Sequence, residues 1–189
     1  MTAIDLVEAS PDRASLRIGD PAPAFEGLLG TDGERYGFDR SRDATALVLI
    51  FSSNRCPTAK AYASRMNDLQ REYGPRGVQL LAINSNDPHL YPDEDLARMV
   101  QRAAEDRYEF PYVVDVEQRV ARAYGPECTF HVFVLDGDRR LRYRGRFDDA
   151  RLPERATSHD LRDALDDVLA GREVRRPETR AFGCSLDLV

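Results

Sequence analysis

The residues of this 189-residue chain best suited to chemistry are its three cysteines, Cys56, Cys128 and Cys184. An odd, widely spaced set does not read as a disulfide framework, and in a reducing compartment such thiols are reactive, metal-bound or inert core groups. Cys56 is singled out by its neighbours: an apolar run ends shortly before it and Pro57 follows it, which predicts a sulfur at or near the N-terminal end of a helix. Unpaired N–H groups and the positive helix end favour a thiolate there, lowering a thiol pKa from ~8.5 toward neutrality or below. Arg55 and Lys60 add positive charge nearby. Such a thiolate is a nucleophile by position as well as by type. The alternative is a small buried cysteine at a strand end. A proline in the first helical turn and the adjoining Ser52-Ser53-Asn54 loop suit an exposed corner better.

Ala59 stands where the second thiol of a Cys-x-x-Cys pair would be, so a disulfide at Cys56 needs a distant partner. Cys128 precedes the penultimate strand of the pattern below. In the fold that this pattern predicts, that loop approaches the Cys56 corner, within the ~4.4 to 6.8 Å between Cα atoms that a disulfide needs. Cys184, on a tail whose course the pattern does not constrain, is the second candidate. His131 opens the strand after Cys128 and could border Cys56, where an imidazolium would favour a thiolate; an ordinary strand-start residue is the other reading.

The elements that must position these residues alternate. Ala46 to Phe51 is a continuous apolar run, as in a central strand covered on both faces. Ala59, Tyr62, Met66, Leu69 and Tyr73 then recur at helical steps up to Gly74-Pro75. Val78 to Ile83 is a second buried strand, and Asp93-Glu94-Asp95 opens a helix with Leu96, Met99, Val100 and Ala103 on one face. A short strand follows at residues 112–114, a short helix from Glu117 to Tyr124 stopped by Gly125, and a hairpin of residues 132–135 and 141–146 around Asp136-Gly137-Asp138. Thr157 or Ser158 caps a closing helix with Leu161, Leu165, Val168 and Leu169 inward. This order predicts an α/β fold, a thioredoxin-like three-layer α/β/α sandwich with a central mixed sheet. Its boundaries are an N-terminal arm over 1–17, the domain over 18–171 and a C-terminal tail over 172–189.

Composition limits the partners. A hydrophobic content of 42% supports one core, and a net charge of −6 opposes nucleic acid and anionic lipid. No run approaches the ~20 apolar residues of a spanning helix, and the acidic start does not read as a secretory signal. Neither nucleic acid nor membrane is an expected partner, and a cytoplasmic location is. His89 and His159 read as surface residues. Asp148-Asp149 reads as turn and capping chemistry, and Arg142, Arg144 and Arg146 as one salt-bridged strand face.

Ser53-Asn54-Arg55-Cys56-Pro57 with Lys60-Ala61-Tyr62, then Ala82 to Asp87, Tyr91-Pro92, Phe110-Pro111-Tyr112, Val132 to Asp136, Arg142 to Arg146 and Gly183-Cys184-Ser185 form a recognisable set. Over roughly residues 18 to 186 the chain resembles bacterial thioredoxin-fold redoxins of the alkyl hydroperoxide reductase/thiol-specific antioxidant (AhpC/TSA) superfamily. The resemblance implies a peroxidatic or disulfide-exchanging Cys56, with Cys128 as partner. Two departures stand out. Peroxiredoxins carry Pro and Thr seven and three positions ahead of the reactive cysteine, where this chain has Leu49 and Ser53; Ser53 still offers a hydroxyl. Thioredoxin-like proteins also carry a cis-proline facing that cysteine, and the expected Thr-Pro is Thr129-Phe130 here, which predicts a trans bond and a remodelled loop.

The function expected is therefore a thiol-dependent oxidoreductase, reducing a peroxide or exchanging with a protein disulfide. Cys56 attacks, Cys128 or alternatively Cys184 resolves, and Ser53, Pro57, Lys60, Thr129, Phe130 and His131 support the site. It needs no bound cofactor, since electrons come from an external thiol reductant, thioredoxin-like or of low molecular weight. Two alternatives remain open at this point: a non-catalytic binding module using a groove between Phe130 and the Cys56 corner, and a metal or iron–sulfur variant with Cys56, Cys128 and His131 as ligands.

Overall fold

The computed structural model describes residues 16–186 and residue 188, so most of the N-terminal arm lies outside the described residues. The central strands are β3 (Ala46–Ser52) and β4 (Val78–Asn84), paired in parallel with Leu49 opposite Leu81. Around them lie β1 (Leu28–Gly30), β2 (Arg35–Tyr36), β5 (Tyr112–Val114), β6 (Val132–Asp136) and β7 (Leu141–Gly145), in the order β2-β1-β5-β4-β3-β6-β7. β5 runs parallel to β4, whereas β1 and β6 are antiparallel to their inner neighbours, giving the expected mixed sheet.

Alternation along the strands creates two cores. Val48, Ile50, Leu80, Ala82 and Val134 face α1 (Pro57–Tyr73), α2 (Leu96–Glu105) and α4 (Asp160–Leu169). Leu47, Leu49, Phe51, Leu81, Ile83 and Phe133 face α3 (Arg119–Tyr124) and the N-terminal lead-in at Leu16 and Phe25. The sandwich is lopsided, with three helices on one face and a single short one on the other. Every residue of β3 is buried, which explains its unbroken apolar run.

Several local expectations need correction. The β1–β2 hairpin leaves no signature in the sequence, because strands of three and two residues carry no readable alternation. Val100 points to solvent, and α2 is capped by Asp95, whose carboxylate accepts from the Arg98 N–H at 2.7 Å. His159 rather than Thr157 or Ser158 occupies the cap position of α4. Thr157 and Ser158 instead bond Asp149, while the buried Asp148 accepts from Tyr62 and from Arg65 at 2.6 Å.

The tail is anchored along its length. Arg172 and Arg175 clamp the buried Asp167 at 2.9 and 3.0 Å, and Arg176 reaches Asp160. Residues 177–179 then follow edge strand β7: the Arg144 N–H donates to the Pro177 carbonyl at 2.9 Å and the Thr179 N–H to the Arg144 carbonyl at 3.1 Å. Arg144 pairs with Glu178 and Arg146 with Asp160, so the arginine face of β7 is salt-bridged as its spacing predicts. Gly145, at φ +147°, leaves the room that Thr179 needs, since a Cβ there would lie 2.1 Å from its hydroxyl.

Candidate active site at the start of the first long helix

Cys56 is the N-cap residue of α1, with extended backbone and Pro57 in the first turn, as the sequence predicts. Its exposure is not as predicted: only 1% of its surface is accessible, and it packs with Ala59, Tyr62 and Phe130 in the helix-side core. Burial alone would push its pKa up. That is outweighed by favourable interactions with the Cys184 thiol, the Thr129 side chain and the backbone N–H groups of Ala59 and Cys184, so the pKa falls below the ordinary thiol value. The Ala59 amide is the third of the helix, which is how the exposed N-terminal donors act on the sulfur without closing a capping hydrogen bond.

The tail supplies a second thiol that acts on the Cys56 sulfur. The Thr129 N–H donates to the Cys184 carbonyl at 2.8 Å, and the Cys184 N–H donates to the Thr129 hydroxyl at 3.1 Å. Burial and the adjacent Cys56 sulfur raise the Cys184 pKa, which leaves it protonated as the donor of the pair. Cys128, one residue from Thr129, is half-buried; burial, Glu127 and the charges of Cys56 and Cys184 push it up to about 11. The three thiols, up to 128 positions apart in sequence, thus influence one another's ionisation: Cys56 is polarised and occluded, while Cys128 and Cys184 are half-exposed with raised pKa values.

The supporting residues divide. Ser53 is buried and accepts from the Arg55 and Cys56 N–H groups at 3.1 and 3.2 Å while donating to Glu94 at 2.5 Å. Lys60 is exposed and contributes only its N–H to the Cys56 carbonyl, and the Arg55 guanidinium lies over the Tyr91 ring at 4.2 Å. Neither cation is among the groups lowering the Cys56 pKa. Phe130 has a left-handed backbone, φ +72°, and its ring is 1% exposed, 4.4 Å from that of Tyr62. It is core, so it lines no groove for a ligand. His131 is buried, its Nδ1 accepts from the Glu127 N–H at 3.1 Å, and burial with Arg144 holds its pKa down to about 4. An imidazolium assisting Cys56 at neutral pH is thereby removed from the account. Among the described residues no three His, Cys, Asp or Glu side chains converge to hold a metal ion.

The residue that sequence reading misplaced is Glu94. Its acidic run reads as the opening of α2, yet it lies 1% exposed in a short 3-10 turn beneath the cysteine loop. Its carboxylate takes the Ser53 hydroxyl, the Asn54 N–H at 2.8 Å, the Arg55 N–H at 3.2 Å and the Asn84 amide at 2.9 Å. Four donors from two separate strand ends thus converge on one acceptor group. The only signal was Tyr91-Pro92 just ahead of it, which interrupts an acidic helix start.

A model of the AhpC/TSA family matches residues 18–144. Thiol-disulfide oxidoreductase ResA of Halalkalibacterium halodurans is 34% identical over 116 residues, covering 60% of this chain and 60% of that relative's length. The crystal structure of a hypothetical protein from Sinorhizobium meliloti 1021 superposes with a TM-score of 0.85 at 36% identity, covering 93% of this chain and 96% of the other. Peroxidoxin BcpB from Mycobacterium tuberculosis, at 20% identity and a TM-score of 0.59, covers 82% and 95% and shares the fold alone. The thioredoxin-like sandwich expected from element order is the one found.

Proposed function

The chain belongs to the AhpC/TSA family, and from that premise we propose that it is a thiol-dependent oxidoreductase with Cys56 as nucleophile. The observation that carries this reading is the Cys56 sulfur at the N-cap of α1, its pKa lowered by the Cys184 thiol and by the Ala59 amide of the first helical turn. With a hydroperoxide, the thiolate attacks one peroxide oxygen; an S–O bond forms, the O–O bond breaks, and the alcohol or water leaves with a proton. A second thiol then attacks the sulfenic sulfur, forming a disulfide and releasing water. With a protein disulfide the same thiolate forms a mixed disulfide that the second thiol opens.

Sequence reasoning favours Cys128 as the resolving thiol, but the hydrogen bonds around Thr129 favour Cys184, with Cys128 next in line. The oxidised pair is returned to thiols by an external thiol reductant, thioredoxin-like or of low molecular weight. The cytoplasm would supply such a donor and keep all three thiols reduced. The test is stoichiometric hydrogen peroxide on the reduced protein, followed by mass-spectrometric mapping of the three cysteines. A Cys56–Cys184 disulfide, and its loss with turnover in Cys56→Ser, is the expected result; three unmodified thiols would remove the proposal.

A further inference from the structure

Resting on that reading, we propose that the tail segment around Gly183 and Cys184 is a fitted occupant of the edge at Thr129, and that it sets the substrate size the Cys56 thiolate accepts. An extended peptide carrying a disulfide would have to bring its backbone alongside the loop facing Cys56 and pair with a free N–H there. The Thr129 N–H is that donor, and the Cys184 carbonyl already holds it at 2.8 Å. The Thr129 hydroxyl oxygen is engaged as well, accepting the Cys184 N–H at 3.1 Å and lying 3.1 Å from the Cys184 carbonyl, so its one proton is shared between that carbonyl and the Cys56 sulfur.

The seat is shaped for glycine. A Cβ on Gly183 would fall 1.7 Å from the Thr129 carbonyl oxygen and 2.9 Å from its carbon, backbone atoms with no flexible end to move aside. The Phe182 ring lies 6.3 Å from that of Tyr62 and ties the same segment to α1, while Thr179 and Glu178 hold the approach on β7. The outcome is a Cys56 sulfur with 1% exposure beneath a strap that carries its own thiol. A hydroperoxide of a few atoms can pass a momentary gap between side chains. A folded protein disulfide needs the whole edge and is excluded while the tail is seated. After oxidation the half-exposed Cys184 is the sulfur that an incoming thiol can reach; its attack there forms a mixed disulfide, breaks the Cys56–Cys184 bond and frees the Cys56 thiolate.

Gly183→Ala unseats the strap without removing a thiol, and Phe182→Ala loosens it by a different contact, should the first variant fold poorly. In full-length protein carrying Cys128→Ser and Cys184→Ser, so that only Cys56 reacts, alkylation rates are compared for iodoacetamide and for a maleimide bearing a 5-kDa polyethylene glycol. The expected result is a polymer-maleimide rate about tenfold or more higher in either strap variant, with the iodoacetamide rate changing less than about threefold. Equal polymer-maleimide rates in the parent and both variants would overturn the proposal. In the chain with all three cysteines, Gly183→Ala should speed reduction of insulin disulfides relative to turnover of hydrogen peroxide. A parallel rise of both would show a general cap rather than a size filter and also overturn it. Failure of the redox reading looks different: neither substrate turns over in any variant, while the alkylation contrast persists.

Discussion

The cysteine sits between two supports built on opposite principles. Beneath it, the loop of residues 53–55 is fixed by a buried carboxylate, Glu94, to which Ser53, Asn54, Arg55 and Asn84 all donate. Above it, the tail is held at Thr129 by backbone and hydroxyl bonds and by the absence of a side chain on Gly183. The floor cannot open without stranding several buried donors, each costing about 1–3 kcal/mol when left unsatisfied. The strap can lift, because its backbone groups bond water once released. A rigid base under the nucleophile and a releasable cover over it is what this difference teaches about the site.

The comparison is sharpest at Glu94. Glu94→Ala should lower unfolding free energy by about 3 kcal/mol or more, read from urea denaturation, and should move the pH profile of Cys56 alkylation upward as the sulfur loses its place over the helix end. Glu94→Gln should be intermediate, since an amide offers one acceptor oxygen and turns its own donors toward the rest. Wild-type stability in both variants would refute the idea of a fixed floor.

A smaller effect belongs to the loop that anchors the strap. His131 is held down to about 4 from 6.5, so on acidification the unfolded chain takes up the proton first. Stability should therefore fall as pH drops from about 6.5 to about 4, by roughly 2–3 kcal/mol. Thermal melts of His131→Asn over that range should show a flatter dependence; an unchanged slope would mean the imidazole is not buried neutral.

Next comes the thiol donor of the strap. Cys184→Ala removes the S–H that favours the Cys56 thiolate, so Cys56 alkylation at pH 7 should slow by about three- to tenfold and its pH midpoint should move upward. Cys184→Ser keeps a donor and should stay nearer to wild type. Identical profiles in all three proteins would leave the Thr129 hydroxyl and the Ala59 and Cys184 amides as the cause. Least of all, Gly183→Ala should cost only about 1 kcal/mol of global stability, because the released groups are rehydrated. A loss equal to that of Glu94→Ala would erase the contrast between strap and floor.

Much of this was legible in the chain. The apolar run of β3, the helical spacing from Ala59 to Tyr73 and the corner proline located Cys56 at a helix start, because each of those signals is local. The short β1–β2 hairpin and the cap of α4 were not legible, since pairing with β5 and contacts with Asp149 decide them. His131 could be placed beside the cysteine loop but not assigned a charge, because burial among distant strands sets its pKa.

Local chain chemistry sets the order of elements and the position of one sulfur at the end of a helix, since hydrophobic period and proline act over a few residues. Folding in three dimensions settles that this sulfur is covered, that the Cys184 thiol polarises it, and that Glu94 holds the loop below. Those outcomes depend on groups brought together across 40 to 128 positions of chain, where no local spacing carries the information and packing and hydrogen-bond satisfaction choose the partner.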